Sequence, residues 1–138
     1  MRLYFNLAEK GTVDASATPH PILSDVNVRR AIRSAVDVDT ITSEIFYGLT
    51  TPTWTEFFRP PYQCAVPRPA FDPDGAKAAL EKAGWTDSDG DGVRECHGCS
   101  TGAPEGYKME MEFIAYAELG EPLELTQQLI AEMLGEIG

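Results

Sequence analysis

Between Phe71 and Trp85 the chain carries both ends of a helix in one short segment, and that constrains its fold more than any other feature. Asp72 is an N-cap residue whose carboxylate suits the first free backbone N–H groups, and Pro73 takes the first helical position, where its missing N–H costs nothing. Ala76, Ala79, Leu80 and Ala83 supply an apolar face, and Gly84 followed by the apolar Trp85 makes a terminating turn. A helix with so definite a start, stop and buried side must lie against other layers.

Other elements follow by the same reasoning. Ser24-Asp25 caps a second amphipathic helix on which Val28, Ala31, Ile32 and Ala35 repeat at helical spacing, with Arg29, Arg30 and Arg33 as a solvated face. Asp37 caps a further helix with an Ile41, Ile45, Leu49 stripe and a C-terminal glycine at Gly48, so two helices meet at the Val36-Asp37-Val38-Asp39 corner. A last helix runs from about Glu121-Pro122 through Leu125, Leu129, Met133 and Ile137. The terminal Ile137-Gly138 after that apolar stripe reads as a connection to a further strand.

Two segments read as strands. Leu3 to Leu7 is a short apolar and aromatic run ahead of a Gly, Ser, Thr and Pro-rich loop through Pro21. Lys108 to Tyr116 alternates, with Met109, Met111, Phe113 and Ala115 on one face, which predicts a strand wet at its start and buried at its end. Residues 50–70 change composition to Pro, Thr and aromatics, the signature of a long irregular excursion, and loops of that length are functional or packed as a cover. Core cover is the simpler role for each of Trp54, Phe57 and Phe58, and Trp54 alone is kept as a candidate to stack on a ligand.

Charge excludes one class of partner. The chain has 22 acidic against 11 basic residues, a net charge of -11, and from Glu105 to the end Lys108 is the sole base. Phosphate binding depends on clustered Lys and Arg, so nucleic acid is no partner for this field. No window approaches the roughly 18 to 20 consecutive apolar residues of a membrane-spanning helix. Met1 to Asn6 is too short and polar for a secretory signal, so the chain is either cytosolic or exported by a signal lying outside it.

Residues 86–106 form an acidic loop that also contains cysteines. Asp87, Asp89 and Asp91 stand at relative positions 1, 3 and 5 with Gly92 at 6 and Glu95 at 9, the start of a calcium loop, because hard calcium takes several oxygens and the glycine permits the sharp turn. Position 12 is Gly98 where a bidentate carboxylate is needed, so a complete EF-hand loop is absent and Glu105 is the nearby acid left to complete the shell. The competing reading is an acidic turn held by Asx bonding, with no cofactor required. Cys96-His97-Gly98-Cys99 has the spacing of half a zinc site, with Cys64 and His97 or His20 as further ligands. A disulfide among Cys64, Cys96 and Cys99 is the favoured alternative, and the sequence leaves the pair open. No Ser, His and Asp set or catalytic carboxylate pair stands at a convincing spacing, so no enzyme is expected.

The ordered wording at the joints resembles the family 5 solute-binding proteins, the oligopeptide, dipeptide and nickel receptors of ABC importers. Phe5-Asn6, Asp25-Val26-Asn27-Val28-Arg29-Arg30-Ala31-Ile32, Ala35-Val36-Asp37-Val38-Asp39-Thr40-Ile41, Phe71-Asp72-Pro73 through Ala83-Gly84-Trp85, and Asp89-Gly90-Asp91-Gly92 follow that family's pattern in order. The Cys96-His97-Gly98-Cys99 insertion, Cys64 and the longer loop from Glu9 to His20 depart from it.

The resemblance implies an α/β fold, part of one lobe of a two-lobed periplasmic-binding-protein-like architecture, with helices packed on a small mixed sheet. It implies that residues 1–138 are a single partial domain from the C-terminal lobe of an extracellular or periplasmic receptor, with the N-terminal lobe elsewhere in the same protein. The partners implied are a peptide or other small solute and an ABC permease, and Thr53, Trp54, Thr55, Tyr116, Ala117 and Glu118 are the positions expected to approach the ligand. The rival expectation is a small calcium-stabilised or zinc-stabilised interaction domain unrelated to transport.

Overall fold

The computed structural model describes residues 3–55, 57, 59–62, 66–115 and 120–138. In chain order the elements are α1 (Val26–Ala35), α2 (Val38–Thr40) running into a π-helical turn (Ile41–Ile45), α3 (Pro73–Lys82), β1 (Trp85–Thr86), β2 (Glu95–Cys96) and α4 (Glu121–Gly135).

Helices α1 and α3 form the central pair, and the caps read from sequence hold them. Asp25 Oδ1 accepts from Asn27 N at 2.7 Å and Asp72 Oδ1 accepts from Gly75 N at 2.9 Å, each satisfying an otherwise free donor of a first turn. Asp72 N donates to Ser34 O at 2.8 Å, which ties the start of α3 to the end of α1. Val28, Ala31, Ile32 and Ala35 are buried against Ala76 and Leu80, and Ile22, Leu23, Trp85, Cys96, Met109 and Ile137 complete the core. Full burial of a Val, Ile or Leu side chain contributes about 1.5–3 kcal/mol, so this one cluster dominates stability. The small alanines at the α1–α3 contact let the two backbones approach.

After α3 the chain reverses at Gly84, whose φ is +88°. A Cβ there would stand 2.9 Å from the Cys99 backbone and from His97 O, so glycine is required both by the left-handed conformation and by space. Trp85 then enters the core fully buried, and β1 pairs antiparallel with β2 in the register Trp85 to Cys96 and Thr86 to Glu95. The mixed helix and strand class is thus realised with a two-stranded sheet.

Four local expectations are revised. The stretch 3–7 forms no ladder strand among the described residues; Ala8 bridges Pro19, and the contacts on either side are Glu9 N to Thr18 O at 2.9 Å and His20 N to Leu7 O at 2.8 Å. Lys108 bridges Glu95 and Met109 N reaches Arg94 O at 2.7 Å, but residues 110–115 form no ladder among the described residues. Alternation in sequence makes a strand only where a neighbouring backbone accepts its hydrogen bonds, and here just its first residues find one. Met111 and Ile114 are accordingly exposed.

The second helix winds out of α geometry after Thr40 into the π-helical turn, and Gly48 N donates to Thr42 O at 2.9 Å. That wider turn takes Leu49 off the expected stripe into solvent while Ile41 stays buried. In α4 the buried residues are Thr126 and Ile130, with Ile137 just beyond the helix, and Leu125 is exposed. A strict four-residue spacing drifts around a 3.6-residue helix, so Leu125, Leu129, Met133 and Ile137 do not all share the covered side. Thr126 Oγ1 satisfies itself on Pro122 O at 2.7 Å.

Candidate functional site

The richest polar chemistry lies on the β1–β2 hairpin and its connection. Asp87 Oδ1 and Oδ2 accept from Gly90 N at 2.7 Å and Gly92 N at 3.0 Å, Asp89 Oδ1 from Asp91 N at 3.1 Å, and Asp91 Oδ1 from Val93 N at 2.8 Å. These Asx bonds turn the carboxylates inward on their own loop. One carboxylate oxygen from each of Asp87, Asp89, Asp91 and Glu95 lies within 4.8 Å of the other three. The spacing recognised in sequence is therefore assembled in space.

The four acids have different surroundings. The three aspartates are exposed, whereas Glu95, on β2, is 6% exposed. Its Oε2 accepts from Ser88 N at 3.0 Å and from Ser88 Oγ at 3.1 Å, and its Oε1 has no hydrogen-bond partner among the described residues. Lys108 Nζ bonds Asp91 Oδ2, and that contact lowers the Asp91 carboxyl below its ordinary range and raises the Lys108 ammonium above its own. Glu105, expected to complete an ion shell, is engaged elsewhere. Its Oε1 meets His97 Nδ1 at 2.7 Å and its Oε2 accepts from Gly98 N at 3.2 Å, and the His97 contact foremost holds its carboxyl below the usual range.

Cys96 and Cys99 are joined by a disulfide, with Cα atoms 5.5 Å apart. Their sulfurs are consequently not thiolates, and the half zinc site is not available in this state. Cys64 lies outside the described residues. His20, the other zinc candidate, uses Nδ1 to accept from Ile22 N at 3.1 Å and Leu23 N at 3.0 Å, so it caps the turn ahead of α1. Burial lowers its pKa, against an opposing effect of Glu9, in keeping with a neutral ring that accepts.

Sequence reasoning overlooked Arg94. Only 6% exposed, it donates from Nε to Ile137 O at 2.6 Å and from Nη1 to Trp85 O at 2.9 Å, with Glu81 Oε1 3.8 Å away. It therefore ties the hairpin to the end of α4. A signal was present, since Arg94 is the lone Lys or Arg between Lys82 and Lys108 in an acidic stretch. Ser100 was also missed; its Oγ donates to Asp25 Oδ2 at 2.7 Å and fastens the disulfide loop to the start of α1.

The positions expected to approach a ligand divide. Thr53 is exposed, and Trp54 and Thr55 are half-buried. Arg68 places its guanidinium 5.5 Å from the Trp54 ring centroid while bonding Asp39, so a cation holds one face of the indole. Of the α1 arginines, read as a solvated face, Arg29 donates from Nη1 to Leu23 O and Ser24 O at 2.6 and 2.9 Å. Phe57 is 59% exposed and does not cover the core as expected, and Phe58 lies outside the described residues. Tyr116, Ala117 and Glu118 also lie outside them. Gln127 Nε2 donates to Phe113 O at 2.7 Å, which fixes the chain leading toward those positions against α4.

Residues 1–138 match the family model described as bacterial extracellular solute-binding proteins, family 5 Middle. The nickel-binding periplasmic protein of Escherichia coli (strain K12) is 32% identical over 103 residues, which are 72% of this chain and 18% of that protein. Among solved structures, the oligopeptide-binding protein AppA from Bacillus subtilis, in complex with a nonapeptide, aligns with a TM-score of 0.62 at 23% identity, over 85% of this chain and 22% of that one. The chain thus spans about a fifth of the length of either relative. With the family model matched over residues 1–138, on a fold shared with that oligopeptide-binding protein, this chain belongs to the bacterial extracellular solute-binding proteins of family 5.

Proposed function

We propose that this chain forms part of the C-terminal lobe of an extracellular or periplasmic receptor that captures a solute, a peptide foremost, and delivers it to an ABC permease for import. The single observation that carries the reading is the family match over residues 1–138. The likeness of fold to a protein solved with a nonapeptide supports a scaffold suited to peptides. Family membership also weighs against an interaction domain unrelated to transport, and against an enzyme.

In this reading the chain is one wall of a cleft. Closure of two lobes sequesters a solute, and a wall alone loses most of the enclosed contact area on which affinity depends. Thr53, Trp54 and Thr55 contribute ligand contacts, and Tyr116, Ala117 and Glu118 are the further positions assigned to the ligand in this reading. Trp54 supplies a flat apolar surface already oriented by Arg68, so little side-chain freedom is lost when a ligand stacks on it.

Calorimetric titration of the full-length receptor with pooled short peptides tests this. Binding is expected, with peptide recovered intact, and Trp54→Ala should weaken it about tenfold, within the range of a central aromatic contact. Absence of peptide binding, cleavage of the peptide, or an unchanged Kd in Trp54→Ala would each count against the assignment. A parallel titration with nickel and its small chelates distinguishes the two kinds of ligand named for the relatives.

A further inference from the structure

We propose that the connection between β1 and β2 binds one calcium ion through Asp87, Asp89, Asp91 and Glu95, and that the ion braces the hairpin. The inference stands on the residues of this loop and is independent of which solute the receptor carries.

Three observations converge. First, the acids occupy positions 1, 3, 5 and 9 of a calcium loop with Gly92 at position 6, and their oxygens gather within 4.8 Å of one another. Second, Glu95, a residue only 6% exposed, brings to this cluster a carboxylate whose Oε2 is held by Ser88 and whose buried Oε1 lacks any hydrogen-bond partner among the described residues. Buried carboxylates are ordinarily paired or hydrogen-bonded, because an unsatisfied charged oxygen removed from water is costly. Third, the neighbouring cations do not supply the missing partner. Lys108 bonds Asp91, and Arg94 is turned away onto Ile137 O and Trp85 O. A cation seated among the four carboxylates would offset their mutual repulsion and satisfy Glu95 together.

The donor set identifies the ion. Every candidate ligand is a carboxylate oxygen, which suits a hard cation, and the nearby sulfurs are locked in the Cys96–Cys99 disulfide. Calcium accepts six to eight oxygens in irregular geometry, whereas magnesium demands a near-ideal octahedron and keeps its waters. Glu95 at position 9 does the anchoring that position 12 performs in a complete loop, where this chain has Gly98. Without that bidentate ligand the affinity expected is that of extracellular calcium modules, a Kd on the order of 10⁻⁴ to 10⁻³ M. Because Thr86 pairs with Glu95 and Arg94 reaches from the same connection to the end of α4, an ion here stiffens the joint between hairpin and last helix.

The test is calorimetry and thermal denaturation of the purified protein after chelator treatment, with and without added calcium chloride. About 10 mM calcium should raise the Tm by about 5–10 °C, the linkage expected at roughly ten to a hundred times the Kd. Glu95→Gln should abolish the rise. Asp89→Asn, at an exposed position that leaves the core intact, should weaken calcium binding at least about tenfold. Terbium luminescence sensitised by Trp85 gives a direct readout should Glu95→Gln fold poorly. No calcium-dependent heat or Tm shift up to about 10 mM, retention of the full response in Asp89→Asn, or an equal response to magnesium would overturn the proposal.

Discussion

The unit made of α1, α3 and the hairpin differs sharply from the Pro-rich segment of residues 50–70. In the first, buried residues from five separate stretches of chain meet, and side chains fasten the turns: Asp25 and Asp72 as caps, Ser100 on Asp25, Arg94 on Ile137. In the second, Phe57 and Tyr62 are exposed, and the described links include the Arg68 bridge to Asp39 and Trp54. Aromatic content is not what stabilises the first region, which has Trp85 alone while residues 50–70 hold Trp54, Phe57, Phe58 and Tyr62. What separates them is whether the backbone has been brought against a partner surface, since apolar side chains stabilise a fold only through the area they remove from water.

That contrast can be broken experimentally. The largest effect is expected from Trp85→Ala, which empties the centre of the cluster and should cost about 3–5 kcal/mol, measured by urea denaturation. An intermediate effect belongs to the corner between the two regions. The Asp37 carboxyl, despite some burial that opposes it, is held below its ordinary value of 3.8 by hydrogen bonds from Thr40 and Asp39 and by the charge of Arg68. A depressed folded value means that the unfolded chain takes up the proton first, so the cap's stabilisation is complete above about pH 4 and fades as pH falls through the folded value. Asp37→Ala should accordingly cost about 1 kcal/mol at neutral pH and progressively less below pH 4, and a penalty independent of pH would show that the carboxylate is not what holds this corner. The smallest effect is Phe57→Ser, within about 0.5 kcal/mol, as for other exposed positions away from caps and core. Should Phe57→Ser cost as much as Trp85→Ala, the distinction between the two regions would be lost.

The same contrast explains which parts of the candidate sites were readable. The acidic loop was legible because its chemistry is local, with Asp87, Asp89, Asp91 and Glu95 close in sequence and every Asx bond spanning a few residues. That Glu95 would be buried with one oxygen unpartnered was not legible, because its burial depends on β2 lying between Trp85 and Met109. Choosing Cys96 with Cys99 also required geometry, as three cysteines at those spacings leave the pair open. Arg94 stands out in the sequence as a lone base in an acidic stretch, but its bond to Ile137 O depends on the end of α4 lying beside it.

By itself, the amino-acid sequence determined the helices whose ends are written in side chains, the turn at Gly84 and the wording that marks the family, because caps, prolines and glycines act over one or two turns of backbone. Tertiary structure alone decided which face of α4 is covered, how little of residues 108–115 pairs as strand, the unwinding of the second helix into a π-helical turn, and where Arg94 and Glu95 lie. Each of those outcomes depends on which distant backbone or side chain is present to accept a hydrogen bond or exclude water, and short-range pattern does not encode that.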